Sequence, residues 1–394
     1  MNEISRRAFL GSSAAASAAL AFGVVTEPML AAQDLQPPHV DGGVLINANE
    51  NPLGPCAAAR AALANIIPQA GRYRFDLRHE LMEAFAASVG VKREYVLPFA
   101  GSSEPLHFTI IAYTSPTRSF VNANPTYEAG FMAARARGAR EVKVPLTAKY
   151  AHDVKAMVAA APDAGVFYIC SPNNPTGTVT PHSDIEWLVE NKPKGSIVMV
   201  DEAYLHFCDE PSALDLVKAD KDVVVLRTFS KIYGMAGIRC GFAIARPDIL
   251  KEIDRFGGDN PMSVTAGAAA IASLRDQSVL SERKQQNAKT RNATFAWLDS
   301  NGYKYIPSEA NCFLLDTGRQ GRDVIAAMAK QNVYIGRVWP IYPTSVRITI
   351  GTPDEMEQFQ SAYAKVMKSQ VQVGRLTNRD LRILSNHDGR NFEG

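Results

Sequence analysis

The 394-residue sequence is poor in cysteine: five occur, Cys56, Cys170, Cys208, Cys240 and Cys312, with no Cys-x-x-Cys pair. Scattered and odd in number, they argue against a paired-cysteine zinc site and against a disulfide framework, and read as small buried hydrophobes. A surplus of one charge is also missing. With 42 basic against 40 acidic residues the net charge is +2, so nothing points to nucleic acid or to an acidic membrane surface. Beyond the first thirty residues there is no low-complexity tract and no short-period repeat. What is present, 46% hydrophobic and 21% charged residues, is ordinary for a soluble globular protein, and the length suggests two domains.

The N-terminus stands apart. Ser5-Arg6-Arg7-Ala8-Phe9-Leu10-Gly11 leads into an alanine- and serine-rich apolar run to about Val25, followed by Ala31-Ala32. A charged start, a modest apolar region and then small residues have the layout of a cleavable export signal. The arginine pair before Phe9-Leu10 resembles the twin-arginine type. The run is only weakly apolar, which suits a removable signal better than a permanent membrane anchor. The plainer alternative is an N-terminal extension with a chance Arg-Arg. Residues 1–32 are therefore read as a signal outside the fold. The expected location is the periplasm, or the cytoplasm if the signal does not function.

Short apolar runs then alternate with helix-like stretches. The clearest strand candidates are Tyr95–Ala100, Gly165–Cys170, Ser196–Val200, Asp222–Arg227 and Arg239–Ala245. Between them, His79–Val89 carries Leu81, Phe85 and Val89 four residues apart and stops at Gly90, as a helix does. Alternating strands and helices imply an α/β domain with a mainly parallel sheet, covered on both faces. The pattern changes after about residue 275: a long polar helix over Ser281–Ser300, strands at Cys312–Asp316 and Val346–Ile350, and a helix at Arg322–Gln331 suggest a smaller α+β domain. The expected division is 33–70 packing with the small domain, 71–275 a large domain, 276–370 the small domain and 371–394 a polar tail.

In a parallel sheet, polar residues just past the strand C-termini form the ligand crevice. Three segments stand at such places. Thr228-Phe229-Ser230-Lys231 follows Asp222–Arg227 and is followed by Gly237-Ile238-Arg239-Cys240-Gly241. A lysine at a strand end, hydroxyls before it and an arginine eight residues on suit pyridoxal 5′-phosphate: Lys231 bonds its aldehyde, while Ser230 and Arg239 bind its phosphate. Asp201-Glu202-Ala203-Tyr204 follows Ser196–Val200. There Asp201 can pair with the pyridine nitrogen and Tyr204 can donate to the phenolic oxygen. Ser171-Pro172-Asn173-Asn174-Pro175-Thr176-Gly177 follows Gly165–Cys170 and would present Asn174 to the same oxygen from a rigid turn.

Each segment also has a bland reading: a solvated surface lysine, an Asp-Glu helix cap, a tight connection. Two further segments fit the same cofactor. Gly101-Ser102-Ser103-Glu104 precedes a helix whose free N–H groups, with Ser102 and Ser103, suit a phosphate, although it is also an ordinary cap. Asn124-Pro125-Thr126-Tyr127 offers the Tyr127 ring for stacking on the pyridine face. Singly the motifs are weak. Jointly they supply different parts of one cofactor's coordination at successive strand ends. No metal is implied.

With Asn47-Ala48-Asn49-Glu50-Asn51-Pro52-Leu53-Gly54-Pro55 and Val346-Arg347-Ile348-Thr349-Ile350-Gly351, these segments resemble the fold-type-I, class I/II pyridoxal-phosphate aminotransferases of the histidinol-phosphate aminotransferase-like branch. The resemblance spans about residues 44 to 352. It implies a large domain with a seven-stranded sheet, a smaller α+β domain, and a homodimer whose active sites lie at the subunit interface. Tyr73 is then expected to reach the partner subunit's cofactor phosphate. Arg347 would grip the substrate's acidic group, with Arg337 and Asn49 nearby on the substrate side. The implied reaction moves an amino group from an amino acid to a 2-oxo acid, with Lys231 as base.

Two departures stand out. The family's Arg-Tyr-Pro-Asp is here Arg72-Tyr73-Arg74-Phe75-Asp76, and its Gly-Tyr-Gly stretch is replaced by residues Val338 to Val346. The second departure and the export signal point away from histidinol phosphate and towards an amino acid handled outside the cytoplasm, after passage through the twin-arginine machinery. That route carries folded proteins, so the cofactor would be loaded first. Other reactions on the same scaffold, those of an amino-acid oxidase, a lyase or a phosphothreonine-type decarboxylase, use the same cofactor residues. A non-enzymatic binding module would normally lack Lys231 or Asp201.

Overall fold

The computed structural model describes residues 24–25, 30, 41–257 and 262–368. Seven strands form the central sheet: β2 (Val96–Phe99), β3 (Ser119–Asn124), β4 (Glu141–Pro145), β5 (Ala164–Cys170), β6 (Ile197–Asp201), β7 (Val223–Thr228) and β8 (Gly241–Ala245). Their order is β2-β8-β7-β6-β5-β3-β4. Only β8 runs antiparallel to its neighbours β2 and β7. The α/β architecture, with its mainly parallel sheet of seven strands, is the one expected.

Why these residues make this sheet is plain in β5 to β8, in which every residue is buried. Such runs fit a sheet covered on both faces. Within β6 the side chains alternate: Val198 and Val200 join one core, Ile197 and Met199 the other. The first core includes Leu81 and Phe85 of the helix Phe75–Val89 and Ala266, Ala269 and Ala270 of the helix Val264–Arg275. The second includes Leu106 and Ile110 of the helix Ser103–Tyr113 and Ile249 and Ile253 of the helix Pro247–Asp254.

Two sheet strands were not expected from sequence. β3 and β4 carry polar residues where β5 to β7 carry apolar ones, and Asn122 of β3 donates to Glu141 of β4 at 2.9 Å. Polar cross-strand pairs at the end of a sheet leave no apolar signature. The helix expected at His79 begins at Phe75.

The small domain has an antiparallel sheet, β12 (Ser345–Thr349), β10 (Cys312–Asp316) and β9 (Lys304–Tyr305), and a parallel pair, β1 (Val44–Ile46) with β11 (Val333–Ile335). Its core joins Val44, Ile46, Phe313, Ile348 and Phe359. Residues 33–70 do not stay together as expected. β1 belongs to the small domain, but the helix Ala57–Ile66 buries Ala59 in the core of the large one. Its alanine-rich sequence allows close approach to the helix Val264–Arg275.

The reading of everything before Gln33 as outside the fold also needs correction: Val25 and Leu30 are buried in the large domain's second core. The arginine pair and the polar tail lie outside the described residues.

Candidate active site

β5, β6 and β7 end together, with Cys170 opposite Asp201 and Asp201 opposite Leu226. Asp201 is 3% exposed. Its Oδ2 accepts from the Tyr168 hydroxyl at 2.9 Å and its Oδ1 from the Ala203 N–H at 3.1 Å. Burial raises its pKa from 3.8 to about 6, against the opposing pull of Tyr168, the Ala203 N–H and the Lys231 charge. A carboxylate held this way favours a cationic partner.

At the end of β7, Phe229 turns into the core and stacks on Tyr233, with ring centroids 4.3 Å apart. The chain then presents Ser230 and Lys231 to the crevice. Lys231 Nζ lies 5.6 Å from the centre of the Tyr204 ring and donates to the Ala48 carbonyl at 3.4 Å. Arg239 donates to Ser230 Oγ at 3.2 Å and to the Ala100 carbonyl at 3.2 Å. Gly101 makes this fit possible. Its φ is +92°, and a Cβ there would stand 2.0 Å from Arg239 Nη2. The adjoining helix begins at Ser103, while Glu104 accepts from the Ala100 N–H at 3.0 Å. Ser102, Ser103, Ser230 and Arg239 thus face one cavity beside a helix N-terminus, a cradle suited to a phosphate.

At the end of β5, Asn174 Nδ2 donates to the Tyr204 hydroxyl at 3.4 Å, and Asn49 Nδ2 donates to the same oxygen at 3.0 Å. Asn174 Oδ1 accepts from Arg347 Nη1 at 2.9 Å. Arg347, on β12, is fully buried and also donates to the Asn47 carbonyl at 2.7 Å. Asn173 fastens this turn to the Tyr127 loop: its Oδ1 accepts from Thr126 at 2.8 Å and its Nδ2 donates to the Pro125 carbonyl at 3.2 Å.

The resulting cavity, about 310 Å³, is lined by Ser102, Ser103, Tyr127, Asn174, Asp201, Tyr204, Ser230, Lys231 and Arg239. Anion donors, an amine, a buried carboxylate, amide and phenol groups and an aromatic ring share one chamber. That donor set fits pyridoxal 5′-phosphate. A family model for aminotransferases of class I and II matches residues 42–362.

The chain belongs to this aminotransferase family.

A histidinol-phosphate aminotransferase of Moorella thermoacetica is 34% identical over 331 residues, 82% of this chain and 85% of that protein. An aromatic amino acid aminotransferase of Cutibacterium acnes is 33% identical over 334 residues, 84% of this chain and 94% of that one. A crystal structure from Erwinia carotovora atroseptica, provisionally described as a histidinol-phosphate aminotransferase, superposes with a TM-score of 0.81 at 33% identity, covering 84% of this chain and 98% of that one. The protein is thus a pyridoxal-phosphate-dependent aminotransferase, similar to those that act on histidinol phosphate or aromatic amino acids.

The remaining expected residues lie around this aminotransferase site. Asn49 and Arg347 reach it through Tyr204 and Asn174. Arg337 is buried, forms an ion pair with Glu128, and stacks on Trp339 with Cζ 4.6 Å from the ring centre. Tyr73 does not line the cavity. It is 70% exposed and stacks on Phe75 at the surface.

Three participants escaped the sequence reading. Tyr168 sits mid-strand, and its one signal was a phenol in an otherwise apolar run, whose hydroxyl needs a partner. Cys170 lines the cavity, and burial pushes its thiol pKa up. His152 lies behind the site, where burial lowers its pKa to about 3, so it is neutral. Its Nδ1 is 2.9 Å from Thr180 Oγ1, and its Nε2 accepts from the Cys170 N–H at 3.4 Å.

Proposed function

We propose that the protein transfers the amino group of an α-amino acid to a 2-oxo acid, and that it does so outside the cytoplasm. The observation that carries the reaction is Lys231 and Asp201 facing one cavity from adjacent strand ends, with Arg347 hydrogen-bonded to the Asn174 amide at its edge.

When bound, pyridoxal phosphate supplies an electron sink for the charge left at the substrate Cα. Asp201, ionised, would hold the ring nitrogen in its protonated form. Asn174 and Tyr204 would hold the phenolic oxygen, and Ser102, Ser103, Ser230 and Arg239 the phosphate. Arg347 receives the α-carboxylate through a charge-assisted fork and so fixes the direction of the Cα–H bond. Lys231 Nζ would take the Cα proton. Positioning and proton transfer each contribute several kcal/mol to such steps.

The substrate reading draws on the aromatic amino acid aminotransferase of Cutibacterium acnes and on Trp339, a large aromatic beside Arg347 with Cζ 5.6 Å from its ring centre. Export is supported by the layout of residues 1–32. A homodimer is supported by the exposed Tyr73–Phe75 pair, which a second subunit would cover.

The test is a donor screen with 2-oxoglutarate and pyruvate, alongside fractionation of cells producing the full chain or an Arg6→Lys, Arg7→Lys form. Keto-acid-dependent product and an Arg-Arg-dependent periplasmic pool are expected. Oxygen consumption or carbon dioxide release without keto-acid dependence would replace amino transfer by oxidation or decarboxylation. A pool unaffected by the arginine change would remove the export reading.

A further inference from the structure

A second cavity, of about 330 Å³, shares no residue with the cofactor cavity. Its walls are mostly apolar and aromatic: Phe85 and Val89 of the helix Phe75–Val89, Leu274 of the helix Val264–Arg275, Leu280 of the helix Ser278–Ser300, and the rings of His206 and Tyr233. Both rings stand on turns that start at the active site. Tyr233 comes two residues after Lys231, whose carbonyl accepts from the Gly234 N–H at 3.0 Å. His206 comes two residues after Tyr204, whose carbonyl accepts from the Phe207 N–H at 3.0 Å.

Two donors in these walls have nothing to bond. Tyr233 is 5% exposed, and its hydroxyl makes no hydrogen bond among the described residues. Burial raises its pKa to about 12, so the proton stays on. His206 Nε2 lies 2.9 Å from Arg227 Nη1. A guanidinium only donates, so Nε2 accepts. Burial, helped by the Arg227 charge, lowers the His206 pKa to about 3. The neutral ring therefore carries its proton on Nδ1, which has no partner.

We propose that this cavity is a second binding site, which takes a small uncharged aromatic molecule carrying an oxygen acceptor. Its volume is that of a small-molecule site. Ser88 and Gln277, both exposed, give it a way in from solvent. The lining has no lysine or arginine, and its one carboxylate, Asp276, repels an anion. A cation has no acceptor to offer the unbonded donors. An aromatic ring fits the walls, where His206 and Tyr233 already meet edge to face with centroids 5.9 Å apart. The ligand's oxygen accepts from the Tyr233 hydroxyl and so meets the need of a buried polar group. This assignment is independent of the reaction carried out at Lys231.

Three probes of one shape test it by fluorine NMR titration of the holoenzyme: 4-fluorobenzyl alcohol, 4-fluorotoluene and 4-fluorobenzoate. They are compared in wild type, in Tyr233→Phe, and in Leu274→Trp, which fills the cavity. In wild type the alcohol is expected to bind ~3-fold or more tighter than the toluene, as one hydrogen bond to a buried donor requires, and the benzoate weakest. Tyr233→Phe should erase the advantage of the alcohol over the toluene, and Leu274→Trp should abolish binding of both. Tyr233→Phe removes only a hydroxyl that no described residue uses, so it keeps the fold and decides the matter even if the tryptophan is not tolerated. The proposal is overturned by a wild type that does not bind the alcohol, by a benzoate that binds as tightly, by an alcohol preference that survives in Tyr233→Phe, or by unchanged binding in a folded Leu274→Trp.

Discussion

Asp201 carries a cost that the cofactor relieves, and asparagine at this position should expose it. In the cofactor-free protein, burial raises the Asp201 pKa from 3.8 to about 6. One pKa unit corresponds to about 1.36 kcal/mol, so an ionised Asp201 destabilises the cofactor-free fold by about 3 kcal/mol. The direction follows from the raised value. Well below pH 3.8 the group is protonated in both folded and unfolded chains and costs nothing; the cost grows as the pH rises through 3.8 towards 6 and is complete above it. Asp201→Asn keeps the shape, can accept from the Ala203 N–H, and meets a Tyr168 hydroxyl that can turn to accept. Urea denaturation of the cofactor-free forms at pH 8 should therefore show the variant more stable by about 3 kcal/mol, with the advantage fading towards pH 4. Holoenzyme activity should be lost, because the ring nitrogen loses its anion. A variant no more stable than wild type at pH 8, or an advantage independent of pH, would refute the reasoning.

Three other substitutions probe neighbouring parts of the account. Tyr168→Phe removes a hydrogen bond to a buried charge, worth about 1.5–3 kcal/mol, and should raise the Asp201 pKa by about one to two units and weaken cofactor binding, measured by titrating the cofactor-free protein at pH 8. Glu202 forms a buried ion pair with Arg227 and accepts from the Ala213 N–H, both at 2.7 Å. Glu202→Ala should cost about 3–5 kcal/mol in denaturation, because it strands the arginine. Gly101→Ala sets a methyl group against Arg239 at positive φ, and should lower cofactor affinity more than it lowers the stability of the cofactor-free protein.

The strands that carry the chemistry were legible because burial on both faces writes itself as unbroken apolar runs, as in the Val-Val-Val-Leu stretch that opens Val223–Thr228. β3 and β4 were not, since Asn122 and Glu141 pair across them and hide the apolar pattern. Asn174, Asp201 and Lys231 could be read because chemistry in a parallel sheet gathers just after strand ends, where polar residues interrupt apolar runs. Tyr168 lies inside such a run, and its role depends on a neighbouring strand 33 residues away. The Glu128–Arg337 pair joins residues 209 positions apart in two different domains. A pairing of that kind belongs to the tertiary fold and leaves no local trace. Val25 and Leu30 show the opposite risk: a stretch that reads as a departing signal also supplies two side chains to the core.

The central claim is that Lys231 holds the cofactor in this cavity. Borohydride reduction of the holoenzyme fixes pyridoxal phosphate to the amine that bears it, and peptide mapping by mass spectrometry then locates it. The account predicts the label on Lys231, absent in Lys231→Ala and reduced when an amino donor is added before the reductant. A label on another lysine, or no label on a protein that still turns over amino donors, would contradict it.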